Sequence, residues 1–199
     1  MNVIVKRFFD IIFSLIALCV LLIPMFIIGI LIKLDSKGSV FFVQDRIGRN
    51  FKKFKLYKFR TMVDSQKASS GLFEPGNTKR VTRIGKFLRK YKLDELPQLF
   101  NVLKGEMSLV GPRPEVEKWT NAYPDLWKKI LQVKPGITDY ASIKFRNEEE
   151  ILKNSKEPEK TYKDEILPEK LQLNLAYVNE GNVVTDIKIL LLTIFKIFK

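Results

Sequence analysis

The chain has 199 residues, with 35 lysines and arginines against 22 acidic residues, a formal charge of +13, one cysteine and no histidine. The missing histidine removes the usual general base and the commonest metal ligand, so Ser-His-Asp and Cys-His hydrolases and His-dependent zinc sites are excluded. A lone Cys19 can form neither an internal disulfide nor a thiolate cluster, and the positive excess points to an anionic partner: a phosphate-bearing substrate, an acidic lipid or nucleic acid.

The first element is apolar. Residues 11–32 are 22 consecutive uncharged residues, about 33 Å as a helix and enough to cross a bilayer core. The run exceeds the hydrophobic stretch of a signal peptide, and no small-residue cleavage site follows it. Pro24 lies inside, where it deletes a backbone hydrogen bond and kinks or breaks a helix. Two readings stand open: a kinked span, and a re-entrant hairpin that turns near Pro24 and returns to the face it entered. Lys6 and Arg7 before the run, with Lys33 and Lys37 after it, suit the hairpin, since both flanks would then stay cytoplasmic. Asp10 is easier to hold at an interface than to carry across, and Arg7 lies three residues back, within helical pairing reach.

The rest fits one compact domain. Short strands are expected at 39–43 and 54–59, on either side of a turn at Gly48, Arg49 and Asn50. Arg46, Arg49, Lys52, Lys53, Lys55, Lys58 and Arg60 form a basic run without an acid. Most of these suit solvent or lipid phosphate, while Lys58 and Arg60 at its end are placed to reach a diphosphate. Residues 63–79, rich in Ser, Gly and Asn, read as a loop.

Helices are expected at 82–90 and 94–103, with Pro97 tolerated in the first turn of the second. Asp94 and Glu95 at that helix start either cap it and complement its dipole, or carry chemistry. The second reading draws on Arg80, Arg83, Lys86, Arg89, Lys90 and Lys92 upstream, with Arg89 able to share a pocket with the acidic pair. In Gly111-Pro112-Arg113-Pro114 two prolines stiffen the backbone around an arginine, which suits bidentate phosphate recognition as well as a plain turn. Helices follow at 115–123, 125–133 and 168–179, with a turn at Pro135-Gly136. At 185–199, Thr185, Lys188, Lys196 and Lys199 make a narrow polar stripe on an apolar helix, which reads equally as an interfacial or a core helix. The fold expected is α+β and mostly helical: a membrane element over 1–37 and a small cytoplasmic domain over 38–199.

These motifs together resemble the bacterial sugar transferases, the monotopic polyprenyl-phosphate phosphoglycosyl transferases. The resemblance rests on Lys6-Arg7-Phe8-Phe9-Asp10, on Pro24 in its apolar run, and on Tyr57-Lys58-Phe59-Arg60-Thr61-Met62. Its most specific block runs from Leu93-Asp94-Glu95-Leu96-Pro97 through Gly105, continued by Met107 to Pro114, with Pro135-Gly136-Ile137-Thr138 and Arg146-Asn147 completing the pattern. The residue before the proline, often serine in that family, is Ile23 here, and residues 139–145 and the acidic Glu148-Glu149-Glu150 also depart from it.

The resemblance implies transfer of a sugar 1-phosphate from a UDP-sugar to undecaprenyl phosphate, with release of UMP, as a first membrane step of bacterial glycan synthesis. Asp94 would be the nucleophile that forms an aspartyl phosphosugar and the protein ligand of Mg²⁺, with Glu95 its acidic partner. Lys58, Arg60, Arg89, Arg113 and Arg146 would bind substrate. It also implies the re-entrant helix and a catalytic domain on the cytoplasmic face of the inner membrane, in contact with membrane lipids. A carboxylate is ionised at neutral pH without a histidine to activate it, which agrees with the composition. One competing reading is a non-catalytic, membrane-anchored basic adaptor that binds acidic lipid or nucleic acid, though no aromatic-interleaved nucleic-acid motif is present. Another is a nucleotide hydrolase in which water replaces the lipid.

Overall fold

The computed structural model describes residues 3–63 and 80–198. The loop read at 63–79 therefore lies, apart from Val63, outside the described residues.

One helix, α1 (Val3–Asp35), takes up the whole apolar run and continues through Pro24, so the turn that the hairpin reading expects at the proline is not seen. Only a narrow stripe of it is covered. Asp10, Ser14, Met25, Ile28 and Ile32 are buried, with Arg7, Leu18, Leu21 and Asp35 half-buried between them, a spacing of three to four residues along the entire helix. The other faces are apolar and bare, from Ile4 and Phe8 through Val20 and Phe26 to Leu34. Pro24 lies on the bare side of the helix, away from the domain.

Both ends of α1 are fastened to the same body. Near the start, Arg7 donates to the Val102 and Leu103 carbonyls at 2.6 and 2.8 Å, and Lys6 pairs with Asp186 at 2.5 Å. Asp10 accepts from Ser108 Oγ at 2.9 Å and from the Leu109 N–H at 3.0 Å. The expected Arg7–Asp10 pair is thus replaced by two separate ties, because each group finds an uncompensated backbone partner on the domain. At the far end, Asp35 accepts from the Ile84 N–H at 3.0 Å.

After α1 comes an antiparallel hairpin, β1 (Phe41–Ile47) and β2 (Lys53–Phe59), in register from Phe41 opposite Phe59 to Ile47 opposite Lys53. Asn50 and Phe51 in its connection hold positive φ of 55° and 59°. Along β2 the alternation turns Phe54 and Leu56 into the core and brings Lys58 in on their side.

Helix α2 (Arg83–Lys90) starts at Thr82, whose hydroxyl accepts from the Gly85 N–H at 3.0 Å. The helix expected at 94–103 is broken in two. Lys92 adopts a left-handed conformation (φ 55°), a single 3-10 turn spans Leu93–Glu95, and α3 begins only at Gln98 and ends at Lys104. Pro97 brings no N–H to bond back to residue 93, so the turn cannot simply continue as a helix.

Two three-residue strands, β3 (Ser108–Val110) and β4 (Gly136–Thr138), pair in parallel. Between them lie α4 (Glu117–Thr120) and α5 (Pro124–Ile130). A Cβ on Gly136 would stand 2.1 Å from the Gly111 nitrogen, so glycine permits the close approach. The chain closes with α6 (Tyr140–Lys144), α7 (Glu148–Asn154), α8 (Pro158–Thr161), a π-helical turn (Tyr162–Ile166), α9 (Leu167–Glu180) and α10 (Val183–Phe198). Of α10, Ile189 is buried beside Val110 and Tyr177. Val184, Ile187, Leu191, Ile194 and Phe195 are exposed. One face is a core helix, and the rest is an uncovered apolar surface.

Candidate active site

Leu93 and Leu96, three apart and so on one side of a 3-10 turn, pack into the cluster that Met25, Ile28 and Ile32 of α1 form with Phe59 and Leu88. Asp94 and Glu95 between them face the domain interior, each about 7% exposed. The same turn therefore carries a greasy back against α1 and an acidic front.

Glu95 is fully engaged. Arg113 grips it with both guanidinium nitrogens, Nη2 to Oε1 at 2.5 Å and Nη1 to Oε2 at 3.2 Å, and Lys58 Nζ adds a third contact to Oε1 at 3.0 Å. Burial alone would raise this carboxyl, but Arg113 and Lys58 outweigh it and hold Glu95 well below the usual carboxylate range. Burial lowers Lys58, with Glu95 acting against that fall.

Asp94 differs from its neighbour. Its Oδ1 is buried and has no hydrogen-bond partner among the described residues. Burial raises its carboxyl above the ordinary value, with the charges of Lys58, Lys92 and Arg89 pulling the other way. A buried carboxylate with an open oxygen beside several cations is available as a ligand or a nucleophile. A hard dication would find one protein carboxylate here, since both oxygens of Glu95 are taken, and would draw its other ligands from phosphate oxygens and water. Among the described residues no group of three acidic, Cys or His side chains gathers to hold a metal.

The Arg113 loop is anchored from both sides. Its own N–H donates to Asp139 Oδ2 at 3.0 Å, and the other oxygen of Asp139 caps α6 at the Ser142 N–H. Gly111 N–H donates to the Thr138 carbonyl, and Gly136 N–H to the Pro112 carbonyl, each at 3.0 Å. From β1, Arg46 donates to the Pro114 carbonyl at 3.2 Å and to Glu115 at 3.4 Å. Glu115 in turn takes the Tyr162 hydroxyl and lies 3.6 Å from Lys170, which pairs with Glu148 at 2.9 Å. A small cavity opens at this junction, lined by Arg46, Leu56, Lys58, Gln98, Arg113 and Pro114.

Of the residues anticipated, Glu95, Lys58 and Arg113 meet directly, Asp94 adjoins Glu95 and feels the charge of Lys58 without contact, and Arg89 acts on Asp94 from the last turn of α2 while pairing with Glu149 at 2.5 Å. Arg60 does something else. Its guanidinium donates to the Lys37 carbonyl at 2.6 Å and to the Ser36 carbonyl and hydroxyl at 2.7 and 3.0 Å, closing the C-terminal end of α1. Arg146 donates to the Ile197 carbonyl at 3.2 Å and ties α10 in place. Arg46, Glu115, Asp139 and Lys170 were not singled out as site residues. Asp139, three residues before Ser142 at a helix start, carries a readable capping signal, whereas nothing in the sequence announces Glu115 or Lys170.

A family model described as bacterial sugar transferase matches residues 1–199. The chain is similar to a UDP-glucose:undecaprenyl-phosphate glucose-1-phosphate transferase of Klebsiella pneumoniae, at 37% identity over 99% of this chain and 41% of the relative. It is also similar to the galactosyl transferase CpsE of Streptococcus agalactiae serotype III, at 39% identity over 97% of this chain and 42% of that protein. An uncharacterized sugar transferase of Bacillus subtilis, EpsL, is 38% identical over 98% of this chain and 87% of its own length. The chain thus spans about two-fifths of the length of the first two relatives and most of the third.

Proposed function

The chain belongs to the bacterial sugar transferase family, and from that premise we propose that it moves a sugar 1-phosphate from a UDP-sugar to undecaprenyl phosphate. The observation that carries this reading is the asymmetry of the acidic pair: Glu95 is saturated by Arg113 and Lys58, while Asp94 keeps a buried oxygen open.

In the first step Asp94 attacks the phosphorus that bears the sugar. A carboxylate oxygen–phosphorus bond forms, the bond from that phosphorus to the bridging oxygen breaks, and UMP departs with the electron pair. In the second step an oxygen of undecaprenyl phosphate attacks the same phosphorus and the Asp94 carboxylate leaves, regenerated. Neither step requires a proton relay, so the histidine-free composition costs nothing. Arg113 and Lys58 hold Glu95 rigidly beside the reacting carboxylate, and Arg89 is positioned to meet the donor's diphosphate. Mg²⁺, for which the open oxygen of Asp94 is a fitting ligand, would supply charge neutralisation on the phosphate oxygens.

For topology we propose that α1 enters one leaflet and keeps both ends on the cytoplasmic face. Arg7 and Asp10 at one end and Asp35 at the other are all tied to the same domain, which supports a re-entrant rather than a spanning element. The bare apolar face of α10 would lie in the same interface.

The test is intact-protein mass spectrometry after incubation with Mg²⁺ and a panel of UDP-sugars, without lipid acceptor. A sugar-phosphate mass increment, absent from Asp94→Asn, is expected. Turnover to lipid-linked product by Asp94→Asn would overturn the assignment of the nucleophile, and release of free sugar phosphate in place of lipid-linked product would make the protein a hydrolase.

A further inference from the structure

The acidic run Glu148-Glu149-Glu150 has no role in the chemistry above, yet two of its members make ion pairs. Glu148 pairs with the buried Lys170, and Leu152, 1% exposed, plugs α7 into the core. The backbone of α7 is therefore fixed. Glu149, on the next residue, extends to Arg89 at 2.5 Å, and its side chain is 58% exposed while that of Arg89 is 26% exposed. Glu150 carries the same charge and makes no ion pair among the described residues. A guanidinium whose charge acts on the open carboxylate is thus occupied by an anion that can leave by side-chain rotation alone, with no movement of α7.

We propose that Glu149 sets the affinity of the donor site by holding the Arg89 guanidinium until the diphosphate of the nucleotide sugar displaces it. This rests on Arg89 being a donor ligand, as proposed above. A carboxylate offers one negative charge and two oxygens. A diphosphate offers more of both, so it wins Arg89, whereas the nucleoside monophosphate left after the first step competes less well. The return of Glu149 then favours product departure. The contact is solvent-exposed, and exposed ion pairs are weak, so the effect is modest: about threefold in affinity.

The experiment titrates UDP into the full chain in detergent micelles and follows binding by calorimetry. Arg89→Gln is expected to weaken UDP, and Glu149→Gln to tighten it by about threefold. Glu150→Gln, which removes the same charge one residue along, is expected to leave the affinity as it is. In an Arg89→Gln background, Glu149→Gln is expected to do nothing, since the contact it removes is already gone. If Arg89→Gln weakens UDP while Glu149→Gln leaves it unchanged or weakens it as well, the competition is disproved and the donor reading of Arg89 stands. Equal tightening by Glu150→Gln would also overturn the proposal, by reducing it to general charge. If Arg89→Gln leaves UDP affinity unchanged, Arg89 is no donor ligand and both readings of it fall.

Discussion

Asp94 and Glu95 are adjacent, similarly buried and chemically alike, yet their environments drive them in opposite directions. Glu95 titrates below its ordinary value because Arg113 and Lys58 overcome its burial, so it adds stability at neutral pH that is lost as the pH falls through its depressed value. Asp94 titrates above its ordinary value because burial dominates, so its ionised form opposes folding at neutral pH and the opposition fades on acidification. In metal-free protein, Asp94→Asn is therefore expected to unfold later than the parent by about 1 kcal/mol at pH 7, and in the presence of Mg²⁺ to show no activity. Glu95→Gln is expected to cost about 3 kcal/mol, because it strands Arg113 and Lys58. Denaturant unfolding at pH 7 checks both, and a destabilised Asp94→Asn would refute the contrast. The acidic pair and Arg113 were legible in the sequence, as charged side chains on structurally special backbone. Their partners were not, because pairing is decided by distant segments: Arg7 and Asp10, three apart on one helix, each bond to the domain instead of to one another.

At the level of elements, the long helix and the hairpin were readable, because apolar length and alternation are local properties. The break before Asp94 was not. A left-handed Lys92 bears no glycine or asparagine to mark it, and the 3-10 turn it introduces is what aims the dyad away from α1. Strands of three residues, β3 and β4, fall below any periodic signal, and they contribute main-chain bonds to the Arg113 loop. Arg60 shows how a motif residue can be engaged by an element of the fold. It satisfies the part-buried carbonyls of Ser36 and Lys37 just beyond the end of α1. Arg60→Gln is thus expected to cost about 2 kcal/mol of stability while leaving the KM for the nucleotide sugar unchanged. Steady-state kinetics beside a denaturation curve separates this from a binding role, which would raise KM instead.

Across the whole molecule, α1 and α10 each leave an apolar face bare, and the domain covers only one stripe of α1. If both ends of α1 lie on one side of the bilayer, single cysteines placed at Ile4 and Ser39 in a Cys19→Ser background should react alike with a membrane-impermeant thiol reagent, both from the cytoplasmic face. Opposite sidedness would mean a spanning helix. The sequence shows an apolar run long enough to cross a membrane but not how it is used, because apolar length is the same whether a helix crosses or returns. The stripe has a wider consequence. Met25, Ile28 and Ile32 form the floor on which Leu93 and Leu96 stand, directly behind the dyad. The helix is therefore no detachable tether. Exchanging it for a generic anchor would keep the chain at the membrane and leave the reactive turn without support, and cutting it away for solubility would do the same. If α1 lies in the bilayer as proposed, anchor and reactive turn would be one inheritable unit, and whatever thins, stiffens or crowds the surrounding lipid would press on the back of the turn that carries Asp94.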